Sequence, residues 1–301
     1  MNIGIITVRD RDYHPTRRLA EAAKQRGHRV TLIHPYRVWP AAVGNRLTLT
    51  GDAFFEMPDV VLPRQGAQIG QSCMVLINHL GLMGIPLVND LDAIRVTRNQ
   101  FLTLQALVAA GVPVPDTFFI NAESGAREAV KRLGEYPVVV KQINGRQGSG
   151  VALIKNEAEL ETAVQTRLQR TQGLLLQKFI PTGGRRDIRV LVIGRRVAGA
   201  MRLAPQAGDF RANYHLGAMG EAQVLPDELA GIAIDATRAV GLEIAGVDLV
   251  LDRQDRIHVI EVNYSPGFKG LETATGIDIA GLMVDYATGV ITQPGKAGQP
   301  E

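Results

Sequence analysis

The pattern of the chain changes once, near residue 92, and that change limits what it can fold into. Up to that point strands alternate with helices. "NIGIITV" is a short β-rich apolar run, and residues 15 to 26 carry Leu19, Ala22 and Ala23 on one helical face that stops at Gly27. "HRVTLIHP" and "PDVVLPR" follow as strands, "IGQSCMVLINHLGLMG" as a helix and "IPLVND" as another strand. Such alternation implies a parallel sheet with helices on its faces. The turn after the first strand reads "VRDRDY", without the glycines of a dinucleotide-binding fingerprint, so this unit is not expected to hold NAD.

Beyond residue 92 the pattern changes, and strands come to dominate. Residues 92 to 110 read as one helix ending at "AAGVPVPDT"; "TFFI" is a strand and 123 to 133 a helix. "YPVVVKQI" is a strong strand, followed by the glycine-rich "NGRQGSG" and the strand "VALIK". "NEAELETAVQTRLQ" is a helix with an Asn cap and acids in its first turn. "GLLLQKFI", "DIRVLVIG" and "RRVAGAMRLA" are strands; a polar loop leads to the helix "LPDELAGIAIDATRAVGL". "IAGVDLVLD" and "RIHVIEVN" form a hairpin, and a last helix spans about 276 to 288. The first part therefore reads as α/β.

Composition removes several function classes. A formal net charge of +3 spread over 301 residues, without a concentrated basic patch, gives no footprint for direct nucleic-acid binding. One cysteine, Cys73, excludes an internal disulfide framework and a Cys-based zinc cluster, and its setting "SCMVLI" reads as a buried residue rather than a reactive thiol. No apolar run is long enough for a membrane helix and "MNIGIITV" meets "RDRD" without a basic leader, so a cytoplasmic protein that does not engage membranes is expected.

The hairpin carries the chemistry. A tight loop centred between Gln254 and Asp255 places Asp248 opposite Glu261, on one face, with Cβ atoms roughly 5 Å apart. Asn263 shares that face because side chains alternate along a strand. Like charges opposite one another destabilise a sheet, so a positive group belongs between them. Two carboxylates and an amide oxygen suit a hard divalent cation such as magnesium; the bland alternative is a solvated face with stray acids. The loop with Gly145, Gly148 and Gly150 lacks the Gly-Lys-Ser/Thr of a Walker A loop but can bring backbone N–H groups to phosphates. It could equally be a flexible hairpin tip. Lys141, ending an apolar strand just before it, costs desolvation unless it meets an anion.

Taken in order, "PVVVK", "NGRQGSGV", "LLLQKFI", "DIRVLVIG", "GDFRANYHLGA", "AGVDLV", "EVNYSPGF" and "LETATGIDIAG" resemble the ATP-grasp superfamily, and within it the RimK-type glutamate ligases, over residues 1 to about 290. The resemblance implies an N-terminal α/β domain (1–92) and two α+β ATP-grasp subdomains, a central one with the glycine loop (93–178) and a C-terminal one with the metal site (179–291); the last residues, 292–301, read as a disordered tail. It implies ATP clasped between the last two domains and two magnesium or manganese ions on Asp248, Glu261 and Asn263. It assigns the phosphates to Lys141 and the Gly148, Ser149 and Gly150 loop, adenine to the linker Gln177, Lys178, Phe179 and Ile180, and the ribose side to Asp187. Arg202, Arg211 and Asn213 fall near the transferred phosphate, and Ser265 and Gly267 near the acceptor. One departure stands out: where the family has an Asp-Lys pair, this chain has Asn99 and Gln100. A second is "NYHLGA", where relatives are more basic. The implied activity is ATP-dependent ligation of an amino acid, glutamate foremost, to a peptide or protein carboxylate, in an enzyme that self-associates. A ligase of small metabolites and a non-catalytic nucleotide-binding regulator remain open as alternatives.

Overall fold

The computed structural model describes residues 1–52, 56–64, 70–143, 150–204 and 219–292. The first unit runs β1 (Asn2–Ile6), α1 (His14–Gln25), β2 (Arg29–Ile33), β3 (Val38–Val43), β4 (Arg46–Gly51), β5 (Val60–Pro63) and α2 (Gln71–Leu82). The strands pair in the parallel order β2-β1-β5, as the alternating pattern predicts. β3 and β4 form a separate antiparallel hairpin that the sequence reading passed over. Its signal was the dipeptide Gly44-Asn45, both at positive φ, which suits a two-residue hairpin turn. "IPLVND" yields only an isolated bridge of Leu87 to Val61.

The helix expected over 92 to 110 is two helices, α3 (Leu91–Thr97) and α4 (Gln100–Ala109). Asn99 makes the break. Its side chain accepts hydrogen bonds from the backbone N–H groups of Phe101 and Leu102, capping α4. Next come β6 (Thr117–Ile120), α5 (Glu123–Leu133), β7 (Val138–Gln142), β8 (Val151–Ile154), α6 (Glu157–Arg167) and β9 (Leu174–Lys178). These strands form one antiparallel sheet ordered β6-β9-β7-β8. Asn156 caps α6 by accepting from Glu159 N–H, while Glu159 accepts in return from Lys155 N–H. This unit has its own core, in which Val138, Val140, Leu174 and Leu176 meet Ala129 and Val130 of α5 and Leu160 and Val164 of α6.

The rest comprises β10 (Arg186–Ile193), β11 (Arg196–Ala204), β12 (Met219–Ala222), α7 (Asp227–Ala239), β13 (Ile244–Leu251), β14 (Ile257–Asn263), α8 (Lys269–Thr275) and α9 (Ile279–Thr292). Its strands are antiparallel in the order β12-β11-β10-β13-β14. The sequence reading lacked β12 and α8. It started the last helix too early and ended it too soon: α9 includes Thr292, which had been assigned to the tail, and residues 293–301 lie outside the described residues. Alternation along β10 and β13 sends Val190, Val192, Val247 and Leu249 towards α7. Leu191 and Ile193 face the other way, into a core shared with Ile3, Ile5 and Leu19 of the first unit and Met283 and Val284 of α9. The first unit and the last sheet therefore pack as one body. Among the described residues no single helix is long and apolar enough to cross a membrane.

Asn89 fastens that body. It is 2% exposed. Its Nδ2 donates to the carbonyls of Ile244 (2.7 Å) and Tyr264 (2.9 Å). Its Oδ1 accepts from Glu243 N–H (2.7 Å) and Ile244 N–H (2.8 Å). A carboxamide has two donors and two acceptor lone pairs, and all four are used. The contacts fix the start of β13 against the exit from β14. Asn89→Ala strands several buried backbone groups and should cost about 3 kcal/mol or more of unfolding free energy, read from the urea midpoint at unchanged slope.

Candidate active site

The site begins with strand register. Next to its loop the β13–β14 hairpin pairs Leu251 with Ile257, Val250 with His258 and Leu249 with Val259. That register, continued, would set Asp248 opposite Ile260. Instead the ladder shifts between Asp248 and Leu249, Ile260 becomes an extra residue, and Asp248 falls opposite Glu261 and Gly246 opposite Asn263. The expected facing of Asp248 and Glu261 is thus present, but a bulge produces it rather than an uninterrupted ladder. Bulges are a common way to re-aim a side chain beside a functional site.

On the other flank of β13, Arg189 of β10 is in register with Asp248. Arg189, Asp248 and Glu261 therefore form one row across three neighbouring strands, on one face. Arg189 holds Asp248 through two parallel bonds, Nε to Oδ1 and Nη2 to Oδ2, each 2.7 Å. Burial works against the Arg189 charge, but Asp248 and, further off, Glu261 outweigh it and hold the guanidinium protonated above its ordinary range. Arg189 was not assigned a site role from the sequence. Its signal was a charge inside "DIRVLVIG", one residue beyond Ile188 and followed by four apolar residues, Val190 to Ile193.

Lys141 supplies the second cation, from the other sheet. It sits on β7, 8% exposed, and shares a pocket with Gln100, Gln177, Ile260 and Glu261. Burial pulls its ammonium down to about 8, against the attraction of Glu261. Glu261 moves the opposite way: burial and the neighbouring Asp248 raise its carboxyl above the usual range, opposed by Arg189, by Lys141 and by a hydrogen bond from Asn263. Gln100 stands at the position where the resemblance leads one to expect a lysine. Its backbone N–H donates to Ile143 O (3.3 Å), which ties α4 to the end of β7.

Of the remaining expected residues that are described, Gln177 lines the same pocket. Gln177 is buried between β6 and β7, its Nε2 donating to Thr117 Oγ1 at 2.8 Å. Lys178 is exposed, its backbone N–H on Asp116 O and its ammonium 3.7 Å from the Asp116 carboxylate; Phe179 and Ile180 are half-buried. Asp187 does not pair with Arg189. Burial raises its carboxyl, and Arg185 partners it at 2.9 Å while donating Nη1 to Ile180 O at 3.0 Å. One guanidinium thereby couples the linker after β9 to β10. Arg202 is exposed on β11, in register with Ile188 and Glu221, one residue out of phase with the row that contains Arg189. After β14, Ser265 and Gly267 lie in a turn folded back over β13. Gly246 permits that fold: a Cβ there would meet Pro266 Cβ at 2.7 Å. Gly150 opens β8, whereas Gly148, Ser149, Arg211 and Asn213 lie outside the described residues.

Two carboxylates and an amide are hard oxygen donors that fit magnesium. Asp248 spends one lone pair of each oxygen on Arg189 and keeps the others. A cation between Asp248 and Glu261 would relieve both effects that raise the Glu261 carboxyl. Among the described residues no third carboxylate, His or Cys completes the set, so an ion held here needs further oxygens from water or phosphate.

Two family profiles cover this geometry: the RimK-like ATP-grasp domain matches residues 97–287, and the RimK pre-ATP-grasp domain matches residues 1–94. A Methanococcoides burtonii protein described as a probable alpha-L-glutamate ligase is 33% identical over 301 residues, spanning 99% of this chain and 98% of its own. One of the same description from Teredinibacter turnerae is 35% identical over 288 residues, spanning 95% of each chain. Among solved structures, a RimK-domain ATP-grasp protein of Sphaerobacter thermophilus superposes with a TM-score of 0.73 at 25% identity, covering 96% of this chain and 100% of its own. The macrocyclase MdnC of Microcystis aeruginosa, solved with its precursor peptide MdnA, reaches 0.74 at 15% identity over 96% of this chain and 100% of its own, a likeness of fold.

The two cations should respond in opposite directions. Arg189→Met leaves buried carboxylates facing each other without their bidentate partner and should cost about 3–5 kcal/mol of unfolding free energy in urea. Lys141→Met removes an ammonium whose burial outweighs its attraction, and should raise the stability of the ligand-free protein by roughly 1 kcal/mol or more while weakening ATP binding. A Lys141→Met protein less stable than wild type would reverse this account of the pocket.

Proposed function

The chain belongs to the RimK-like ATP-grasp family of ATP-dependent ligases, and from that premise we propose that it joins L-glutamate, through its amine, to the C-terminal carboxylate of a peptide or protein. The observation that carries this reading is the row Arg189–Asp248–Glu261 facing Lys141. It presents two carboxylates for metal-bound phosphates and one buried cation for the phosphates themselves. The names of the curated relatives support glutamate, and neighbours solved with precursor peptides support a peptide as acceptor.

The reaction has two balanced steps. An oxygen of the acceptor carboxylate attacks the γ-phosphorus of ATP, ADP leaves, and an acyl phosphate forms. The amine of glutamate then attacks the acyl carbon, the C–N bond forms as the C–O bond to phosphate breaks, and the amine proton is released. The protein's part is position and charge. Lys141 meets phosphate oxygens, and because it is desolvated beforehand it gives up little hydration on doing so. Gln177, Lys178, Phe179 and Ile180 hold adenine, and Asp187, oriented by Arg185, faces the ribose. Gly148, Ser149 and Gly150 cover the phosphates and keep water from the acyl phosphate. Arg211 and Asn213 serve the transferring phosphoryl group and the acyl phosphate. Asp248, Glu261 and Asn263 would hold two magnesium ions, which neutralise developing charge on the phosphates. Ser265 and Gly267 shape the acceptor end.

Incubation with ATP, magnesium, L-glutamate and a panel of peptides should release ADP and add one glutamyl mass to the product. Products formed only from free amino acids would replace the peptide acceptor by a small molecule. Glu261→Gln keeps the size of the side chain and should lower turnover by about a hundredfold or more while the far-ultraviolet circular dichroism stays native. Turnover near the wild-type rate would remove Glu261 from the metal set.

A further inference from the structure

Arg64 is a half-buried cation that the proposed ATP and metal site does not use. It follows β5 at the C-terminal edge of the parallel sheet, where its backbone N–H donates to Ile6 O of β1 (3.0 Å). In open α/β sheets ligands collect outside the carboxyl ends of the strands. From there Arg64 reaches the turn after the metal strand. Its Nη2 donates to Pro266 O at 2.5 Å, and its guanidinium stacks over the Phe268 ring at 5.8 Å. His14 meets the same ring edge-on at 5.4 Å.

A carbonyl and a ring face do not balance a full positive charge. Among the described residues no carboxylate pairs with Arg64, and its Nε–H is sealed from water without an acceptor. Burial pulls the guanidinium down to about 10, with only a small counteracting influence from Tyr13. Buried donors without a partner are rare in native proteins and call for a ligand, an ion or a functional use. Guanidinium groups are matched to planar carboxylates, which accept two parallel N–H bonds. The same turn carries Ser265 and Gly267 and leads directly from Glu261 and Asn263.

We propose that Arg64 binds a carboxylate of the amino acid that supplies the amine, and so selects an anionic substrate beside the turn Tyr264–Phe268. The inference rests on the ligase reading above. Chemistry decides which carboxylate. The acceptor carboxylate must act as a nucleophile towards ATP, and a fixed guanidinium would blunt it. The carboxylates of the incoming amino acid survive the reaction unchanged, so a permanent cation can hold them through both steps. Arg64 touches substrate in this scheme, and the Pro266 carbonyl keeps the guanidinium turned towards the turn.

The test uses the full-length protein with ATP, magnesium, L-glutamate and an oligoglutamate peptide. Arg64→Lys and Arg64→Met should each raise KM for glutamate roughly tenfold or more, with KM for ATP close to wild type. An unchanged KM for glutamate overturns the assignment. So does an equal rise in both KM values, because a residue that merely fastened the turn would disturb the metal strand as well. Should the variants fail to fold, calorimetry on the wild-type protein with a non-hydrolysable ATP analogue decides. Glutamate should bind at least about tenfold more tightly than one of its two amides, glutamine or isoglutamine, and equal binding of all three overturns the proposal. Wild-type protein that releases no ADP with any acceptor counts against the ligase reading and takes this assignment with it. Wild-type turnover with an unmoved KM in the variants counts against Arg64 alone.

Discussion

Two carboxylates that face each other across adjacent strands repel, and the site is arranged around that repulsion. Asp248 and Glu261 are brought opposite by the bulge at Ile260. Arg189 flanks the pair from β10 and Lys141 faces it from the second sheet. The charges answer in the expected sense: Glu261 is pushed towards its protonated form, Arg189 is held in its charged form, and Lys141 is drawn down to about 8. In the ligand-free protein Arg189 offsets the repulsion, whereas the burial of Lys141 costs more than its attraction to Glu261 returns. Metal and phosphate held as proposed would bring further charges of both signs to the same place.

That balance spans two bodies with separate cores. Lys141 belongs to the sheet packed under α5 and α6, whereas Arg189, Asp248 and Glu261 belong to the sheet that shares its core with β1, α1 and α9. Asn89 fixes the second body internally, at the start of β13 and the exit of β14. Between the bodies run Gln100 N–H on Ile143 O, Arg185 on Ile180 O, and the Phe101 ring against that of Phe119 at 5.4 Å. A ligand that contacts Lys141 on one side and the acidic row on the other would act as the missing packing between them.

The sequence made the sheets legible where pattern alone decides: alternation of strand and helix for β1, β2 and β5, and runs of valine and leucine for β7, β9, β10 and β13. It was poor where local chemistry decides. Gly44-Asn45 creates a hairpin, and Asn99 breaks one long apolar pattern into α3 and α4, because a cap competes with helix continuation. The facing of Asp248 and Glu261 was read correctly for an incomplete reason, since no residue pattern announced the bulge that restores it. Arg189 escaped notice because its role depends on β10 lying beside β13, a neighbourhood set by the order of the sheet and not by sequence distance.

Gln100 shows how one substitution can be read once its surroundings are known. Asn99 keeps the helix cap that an aspartate would provide, so the exchange at that position preserves the backbone. Gln100 then enters the pocket beside Lys141, with its Oε1 buried and unpaired among the described residues. A lysine there would set a second ammonium next to one that burial already draws down to about 8. Glu261 would be left to balance both, while Asp248 is committed to Arg189. A neutral amide avoids that cost in the ligand-free protein and would offer two N–H donors to a phosphate bound as proposed. Set against the lysine that the resemblance leads one to expect, Gln100 keeps hydrogen bonding without the charge.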